Sequence, residues 1–158
     1  MSSYEESYLG RTRKLIGKEK IIVTGARAVI RDQDNRILFI RRRDNGLWAM
    51  PAGSQELGES ILDCLKREVR EESGLNVISA TPIAIYSNLS IVTAYGDPYQ
   101  LFLVQFLVDE WSGELIAETD ETIDARFFSP DELPGNIPDY YHKSLTDIQN
   151  YDGTFIIE

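Results

Sequence analysis

The chain has 158 residues, 42% of them hydrophobic, which is near the usual size of one domain and enough to fill one continuous core. Its 26 Asp and Glu against 16 Lys and Arg give a formal net charge of -10, which repels polyanions at long range and excludes a broad nucleic-acid surface. Cys64 is the sole cysteine, so no intrachain disulfide can form, and no run reaches the roughly 18 apolar residues that would span a bilayer. The start, Met1 to Leu9, is polar and acidic rather than leader-like, and a cytoplasmic location is expected.

Tyr4, Tyr8, Leu9, Thr12, Leu15 and Ile16 recur at three- and four-residue spacing, which predicts a short amphipathic helix closed by Gly17. Residues 1–17 therefore read as an N-terminal helical extension and residues 18–158 as the main domain. The exposed face of the extension is suited to covering the core or to pairing in a homodimer.

Lys20 to Arg31 and Arg36 to Arg41 are rich in β-branched and large apolar residues, with the turn signal Asp32-Gln33-Asp34-Asn35 between them, so two paired strands are predicted. Alternation at Arg41-Arg42-Arg43 sends Arg42 to the face opposite its neighbours, which makes it a candidate for meeting a phosphate. After the breakers Asn45-Gly46 and Pro51-Ala52-Gly53, the segment from Glu59 to Ser73 carries Ile61, Leu62, Leu65 and Val69 on one face and stops at Gly74. Within this predicted helix Cys64 reads as a small buried apolar residue, and Glu59 falls in the first turn, where the helix dipole favours a carboxylate.

Further strands are predicted near Ala80 to Asn88, Tyr99 to Val108 and Ala125 to Ser129, and a final helix near Pro138 to Tyr151 contains the only histidine, His142. No linker or repeat separates these elements. The expected architecture is an α/β fold, one mixed sheet with helices on its faces in an α/β/α sandwich.

Glu68, Glu71 and Glu72 stand at i, i+3 and i+4 and project from one side of the predicted helix. Like charges at this spacing destabilise an isolated helix by a few tenths of a kcal/mol per pair, and a bound hard cation reverses the repulsion. The alternative is a plain solvated acidic face.

The surrounding residues decide between them. Gly53, Glu59, Arg67, Glu68, Val69, Glu71, Glu72, Gly74 and Leu75 match the Nudix box at nine positions over 23 residues, without a departure. Gly46-Leu47-Trp48 before the box and Phe127 to Pro134 after it also resemble the family, so the likeness covers roughly Ile21 to Tyr151.

The resemblance implies a Nudix α/β/α sandwich and a hydrolase that cuts the diphosphate bond of a nucleoside diphosphate linked to another moiety. It implies Mg²⁺ as cofactor, with Mn²⁺ able to substitute, held mainly by Glu68 and Glu72, with Glu71 assisting and the Ala52 carbonyl completing the shell. Arg67 is implied to orient a box glutamate, and Glu121, in the acidic loop before the last strand, is the candidate additional metal ligand or base.

The implied partner is a small nucleotide. Leu89 and Ser90 stand where the family's ADP-ribose pattern has a proline, and Ile91 and Val92 where its dinucleoside-polyphosphate pattern has a tyrosine. Two alternatives are a pyrophosphatase that sanitises nucleoside triphosphates and a non-catalytic nucleotide sensor of the same fold, which would be expected to have lost box glutamates.

Overall fold

The computed structural model describes residues 3–158. After a 3-10 turn at Tyr4–Glu6 come α1 (Tyr8–Ile16), β1 (Ile21–Val29), β2 (Ile37–Arg42), β3 (Trp48–Ala49), β4 (Ala52–Ser54) and α2 (Ile61–Ser73). They are followed by β5 (Asn76–Val92), β6 (Pro98–Ser112), β7 (Thr122–Phe128), α3 (Tyr141–Asn150) and β8 (Ile156–Ile157).

Alternation along β1 divides the interior into two cores. Ala26 and Ala28 join one, Val29 joins the other, and all three are fully buried. On the first face α2 packs Cys64, Leu65 and Val69 against Ala26, Ala28, Leu38 and Phe106. On the second, α3 packs Tyr141, Leu145 and Ile148 with Val29, Phe39, Ile83 and Leu103. The expected layering of helix, sheet and helix follows from these two faces.

A strand buried on both faces also needs partners on both edges. β1 runs parallel to β6 and antiparallel to β4, giving a mixed five-stranded sheet in the order β4-β1-β6-β5-β8. The remaining strands form a separate antiparallel sheet in the order β3-β2-β7.

The single sheet and the β1/β2 pair expected from sequence are therefore corrected. Backbone pairing between the two runs is limited to residues just past β1, at the bridge between Arg31 and Ile37 and the bond from Leu38 N to Ile30 O of 2.9 Å. The Asp32 carboxylate, accepting from Asp34 N and Arg36 N at 3.0 and 2.9 Å, sets the turn, while β4 and β6 already occupy the edges of β1.

The start of α2 also differs from the expected one. Ser60 is the N-cap, accepting from Asp63 N at 3.1 Å while Asp63 reaches back to Ser60 N at 3.4 Å, so the helix begins at Ile61 and Glu59 lies just outside it. Gly74, at φ 76° and ψ -2°, closes the helix in the left-handed region.

Arg13, 8% exposed, docks α1 on the sheet by donating to Glu19 O at 2.7 Å and Pro98 O at 2.6 Å. Tyr8 N at the helix start donates to the Glu56 carboxylate at 2.8 Å, which joins α1 to the loop before α2. Among the described residues no helix is long and apolar enough to cross a membrane.

Leu65 is fully buried under the sheet, one to two turns before Glu68 and Glu72 on the inward side of α2. Leu65→Ala is expected to cost about 2–5 kcal/mol, read in urea unfolding as a lower midpoint at unchanged slope.

Candidate active site

The register of α2 places its buried face on the sheet and turns Arg67, Glu68, Glu71 and Glu72 toward the loop at Ala52–Ser54. Arg67 organises this group. Its Nε and Nη2 grip Glu59 at 3.0 and 2.7 Å, Nη2 also donates to Ser54 O at 3.0 Å, and Nη1 reaches Glu68 at 2.6 Å and Glu71 at 3.4 Å. Glu59 also accepts from Glu56 N at 2.8 Å, so the loop and the helix are fixed to each other.

Gly53 lies against the Glu68 carboxyl so closely that any Cβ at residue 53 would overlap it. The requirement for glycine here is close approach, not a left-handed backbone. Glu72 is 2% exposed and accepts from Ala52 N at 2.9 Å, while its backbone carbonyl accepts from the buried Thr122 hydroxyl at 2.8 Å. Ala52 is thereby held against Glu72, and β7 is tied to α2.

Thr122 brings in the neighbouring Glu121. Oxygens of Glu68, Glu71 and Glu121 all lie within 4.8 Å of one another. The loop carrying Glu121 is stitched down by Arg43, whose Nη2 donates to Thr119 O at 2.9 Å and whose backbone N donates to Glu121 O at 2.9 Å. Arg41 turns away to the Gly46 carbonyl at 3.0 Å.

Arg42 faces the site between them, held by Asp44 in two bonds of 3.0 and 2.7 Å. Burial works against its charge, but Asp44 and the nearby Glu72 outweigh it and raise its pKa. Thr122, Asp44 and Glu56 were not singled out from the sequence, where each is an ordinary polar residue in a loop or at a strand end. Trp48 packs edge-on against Phe128, with centroids 5.0 Å apart, and Tyr95 stacks on Tyr4 at 6.3 Å.

Burial pushes the Glu68 carboxyl up to about 7, against the lowering effect of Arg67, and the charges of Glu121 and Glu71 add to the rise. Glu72 is raised well above its ordinary value by complete burial and by Glu68, against Arg42 and the Ala52 N–H. Desolvation and the charge of Glu71 raise Glu121 as well. Cys64, beside them, is pushed up to about 12 by burial and by Glu68, so it stays a thiol.

These carboxylates are hard oxygen donors, crowded and partly desolvated, and Glu68, Glu72 and Glu121 bind protons more tightly than free carboxylates do. That donor set fits a divalent cation of the oxygen-seeking kind. Glu68 and Glu71 would supply side-chain oxygens, with Glu72 and Ala52 adjoining, and Glu121 faces them across the cluster.

A raised carboxyl binds a proton in the folded state that the unfolded chain has already lost. For Glu68 that window runs from its ordinary 4.5 to about 7, so the stability it contributes is complete below the window and is lost as pH rises through it. The chelated protein is expected to melt at falling temperature over this range. Added divalent cation should raise the melting temperature more at about pH 8 than at about pH 5, which scanning calorimetry can check.

Comparison with known proteins bears on the same residues. The profile of the NUDIX domain family matches residues 22–147. A Bacillus subtilis protein provisionally named an 8-oxo-dGTP diphosphatase is 27% identical over 126 residues, 80% of this chain and 79% of that one. An ADP-ribose pyrophosphatase of Methanocaldococcus jannaschii is 34% identical over 107 residues, 65% of this chain and 60% of that one. Among solved structures, a MutT NUDIX hydrolase of Burkholderia pseudomallei superposes with TM-score 0.67 at 26% identity, over 80% of this chain and 98% of that one. With the family profile spanning most of the chain and every position of the box in place, the protein belongs to the Nudix family and is a hydrolase of pyrophosphate bonds.

Proposed function

We propose that the protein hydrolyses the diphosphate linkage of a nucleoside diphosphate joined to another moiety, releasing a nucleoside monophosphate, with Mg²⁺ at the carboxylate cluster and Mn²⁺ as a working substitute. The observation that carries this reading is the convergence of Glu68, Glu71 and Glu121 from a helix and a distant loop to within 4.8 Å. When bound, the cation supplies neutralisation of the diphosphate charge and a more acidic water.

The chain's own groups do the rest. Glu68 and Glu72, with Glu71 assisting and Ala52 beside them, are the ligand set. Arg67 keeps Glu68 and Glu71 aimed inward through charge-assisted bonds. Arg42, pre-set by Asp44, faces the negative charge that a diphosphate brings. Glu121 is the base: its raised pKa suits it to take the proton from water as the water oxygen bonds to phosphorus and the bridging P–O bond breaks.

The intact glutamates favour catalysis over a sensor of the same fold. The Bacillus subtilis relative supports a second substrate class, nucleoside triphosphates. Residues 1–17 are read as an extension of the domain in 18–158 that flanks the site and, through exposed Leu15 and Tyr8, offers a surface for a homodimer. The expected setting is the cytoplasm.

A panel of nucleoside-diphosphate derivatives and triphosphates, followed chromatographically with Mg²⁺ and with chelator, tests the reading. At least one compound should be cleaved only with metal. Glu121→Gln should lower kcat by roughly 10²–10⁴ at little change in melting temperature. Ligands that bind but are never cleaved would support the sensor instead.

A further inference from the structure

Arg27, in the middle of β1, is 2% exposed, yet it belongs to no ion pair among the described residues. Its Nε donates to Gln105 Oε1 at 2.9 Å and its Nη2 to Ser144 Oγ at 2.7 Å. The guanidinium carbon lies 4.7 Å from the centre of the Tyr141 ring and 5.8 Å from that of Tyr86. The nearby acids are engaged elsewhere. Asp147 takes the Tyr86 hydroxyl and Lys143, both at 2.7 Å, and Lys143 also reaches Glu158 at 2.8 Å.

Neutral oxygens and ring faces offset only part of the desolvation of a buried cation, whose burial without a counter-charge costs several kcal/mol. A second donor beside it is also unanswered: Nε2 of Gln105, a residue with no exposed surface, has no hydrogen-bond partner. Among the described residues the buried guanidinium thus lacks a counter-charge, and the amide beside it lacks an acceptor. Arg27 and Ser144 line a half-open cavity of about 280 Å³, walled by Tyr86, Asn88, Tyr140, Lys143 and Glu158, the last with its carboxylate paired to Lys143. Tyr141, packed on Arg27, also feels the charges of Arg42 and Glu72, so the same ring senses the cavity's arginine and the carboxylate cluster.

We propose that Arg27 anchors a second recognition site, in which this cavity takes an oxyanion, a carboxylate or a phosphate, carried by the part of the substrate away from the cleaved bond. The word substrate rests on the hydrolase reading; the anion site itself does not. Nη1 and the remaining Nη2 hydrogen form the free edge of the guanidinium, which matches two oxygens of one carboxylate or phosphate. The cavity has room for a sugar-sized group. Arg27 is then a specificity-determining residue that selects a negatively charged moiety, where a purely structural role would be to brace β1, β6 and α3.

Binding is read by calorimetry with Mg²⁺ in the Glu121→Gln background, so that it does not depend on turnover. The probes are UDP-glucose against UDP-glucuronate for a carboxylate, NADH against NADPH for a phosphate, and inorganic phosphate alone. The oxyanion-bearing member of at least one pair should bind at least about tenfold tighter, and which pair responds names the anion. Asn88→Asp, an exposed change that puts a negative charge on the cavity wall, should reduce the preference to less than about threefold, as should Arg27→Lys, which keeps the charge and loses the fork. Equal binding within both pairs, or a preference that survives Asn88→Asp, overturns the proposal. Should Arg27→Lys not fold, Asn88→Asp alone decides. A preference that stands while the parent protein cleaves nothing would remove the hydrolase reading and leave the anion site.

Discussion

Arg67 is the point on which the site depends. Glu59, just before α2, and Glu68, Glu71 and Glu72 on it converge around one guanidinium, and without a central cation their mutual repulsion would drive them into solvent or into the protonated state. One guanidinium holds three of them, and it also fixes the Ser54 carbonyl of the loop opposite. Its planar fork serves two directions at once, outward to Glu59 for rigidity and inward to Glu68 and Glu71 for function. A lysine could supply the charge but not the geometry.

The arrangement is deliberately incomplete as a balance of charge. Arg67 and Arg42 do not neutralise the cluster, and Glu68, Glu72 and Glu121 all keep raised affinities for protons. A divalent cation would replace those protons at neutral pH, and the same cation would let an acidic protein, at formal charge -10, accept a polyphosphate that its overall field repels. Fold and chemistry meet in the loop at Ala52–Ser54: the bond from Ala52 N to Glu72 and the contact of Gly53 with Glu68 make the sheet edge part of the cluster.

Much of this was legible in the chain because it is local. A 3.6-residue period places Glu68, Glu71 and Glu72 on one side and Leu65 and Val69 on another, and the box spacing adds Gly53, Glu59 and Arg67. What was not legible is non-local. Glu121 is a candidate through the family resemblance alone; what brings it to the cluster, the pairing of β7 with β2 and the bond of Thr122 to α2, has no signature in the loop itself. The β1/β2 pairing expected from the turn fails because a turn between two apolar runs does not say which edges are already taken. Glu59 fits the helical spacing, and only the reciprocal Ser60–Asp63 cap excludes it from the helix. Arg27 did carry a signal, a charge within an apolar strand, but only the third dimension shows that no acid answers it.

The most direct test of the central claim is calorimetric titration of the chelated protein with Mg²⁺ near pH 6.5 in buffers of different ionisation heat, which counts the protons released per cation bound. If the cluster holds protons in place of a cation, binding should release about one proton per ion near pH 6.5 and clearly fewer near pH 8.5. Cation binding with no proton release at either pH, or no binding at all, would contradict the account.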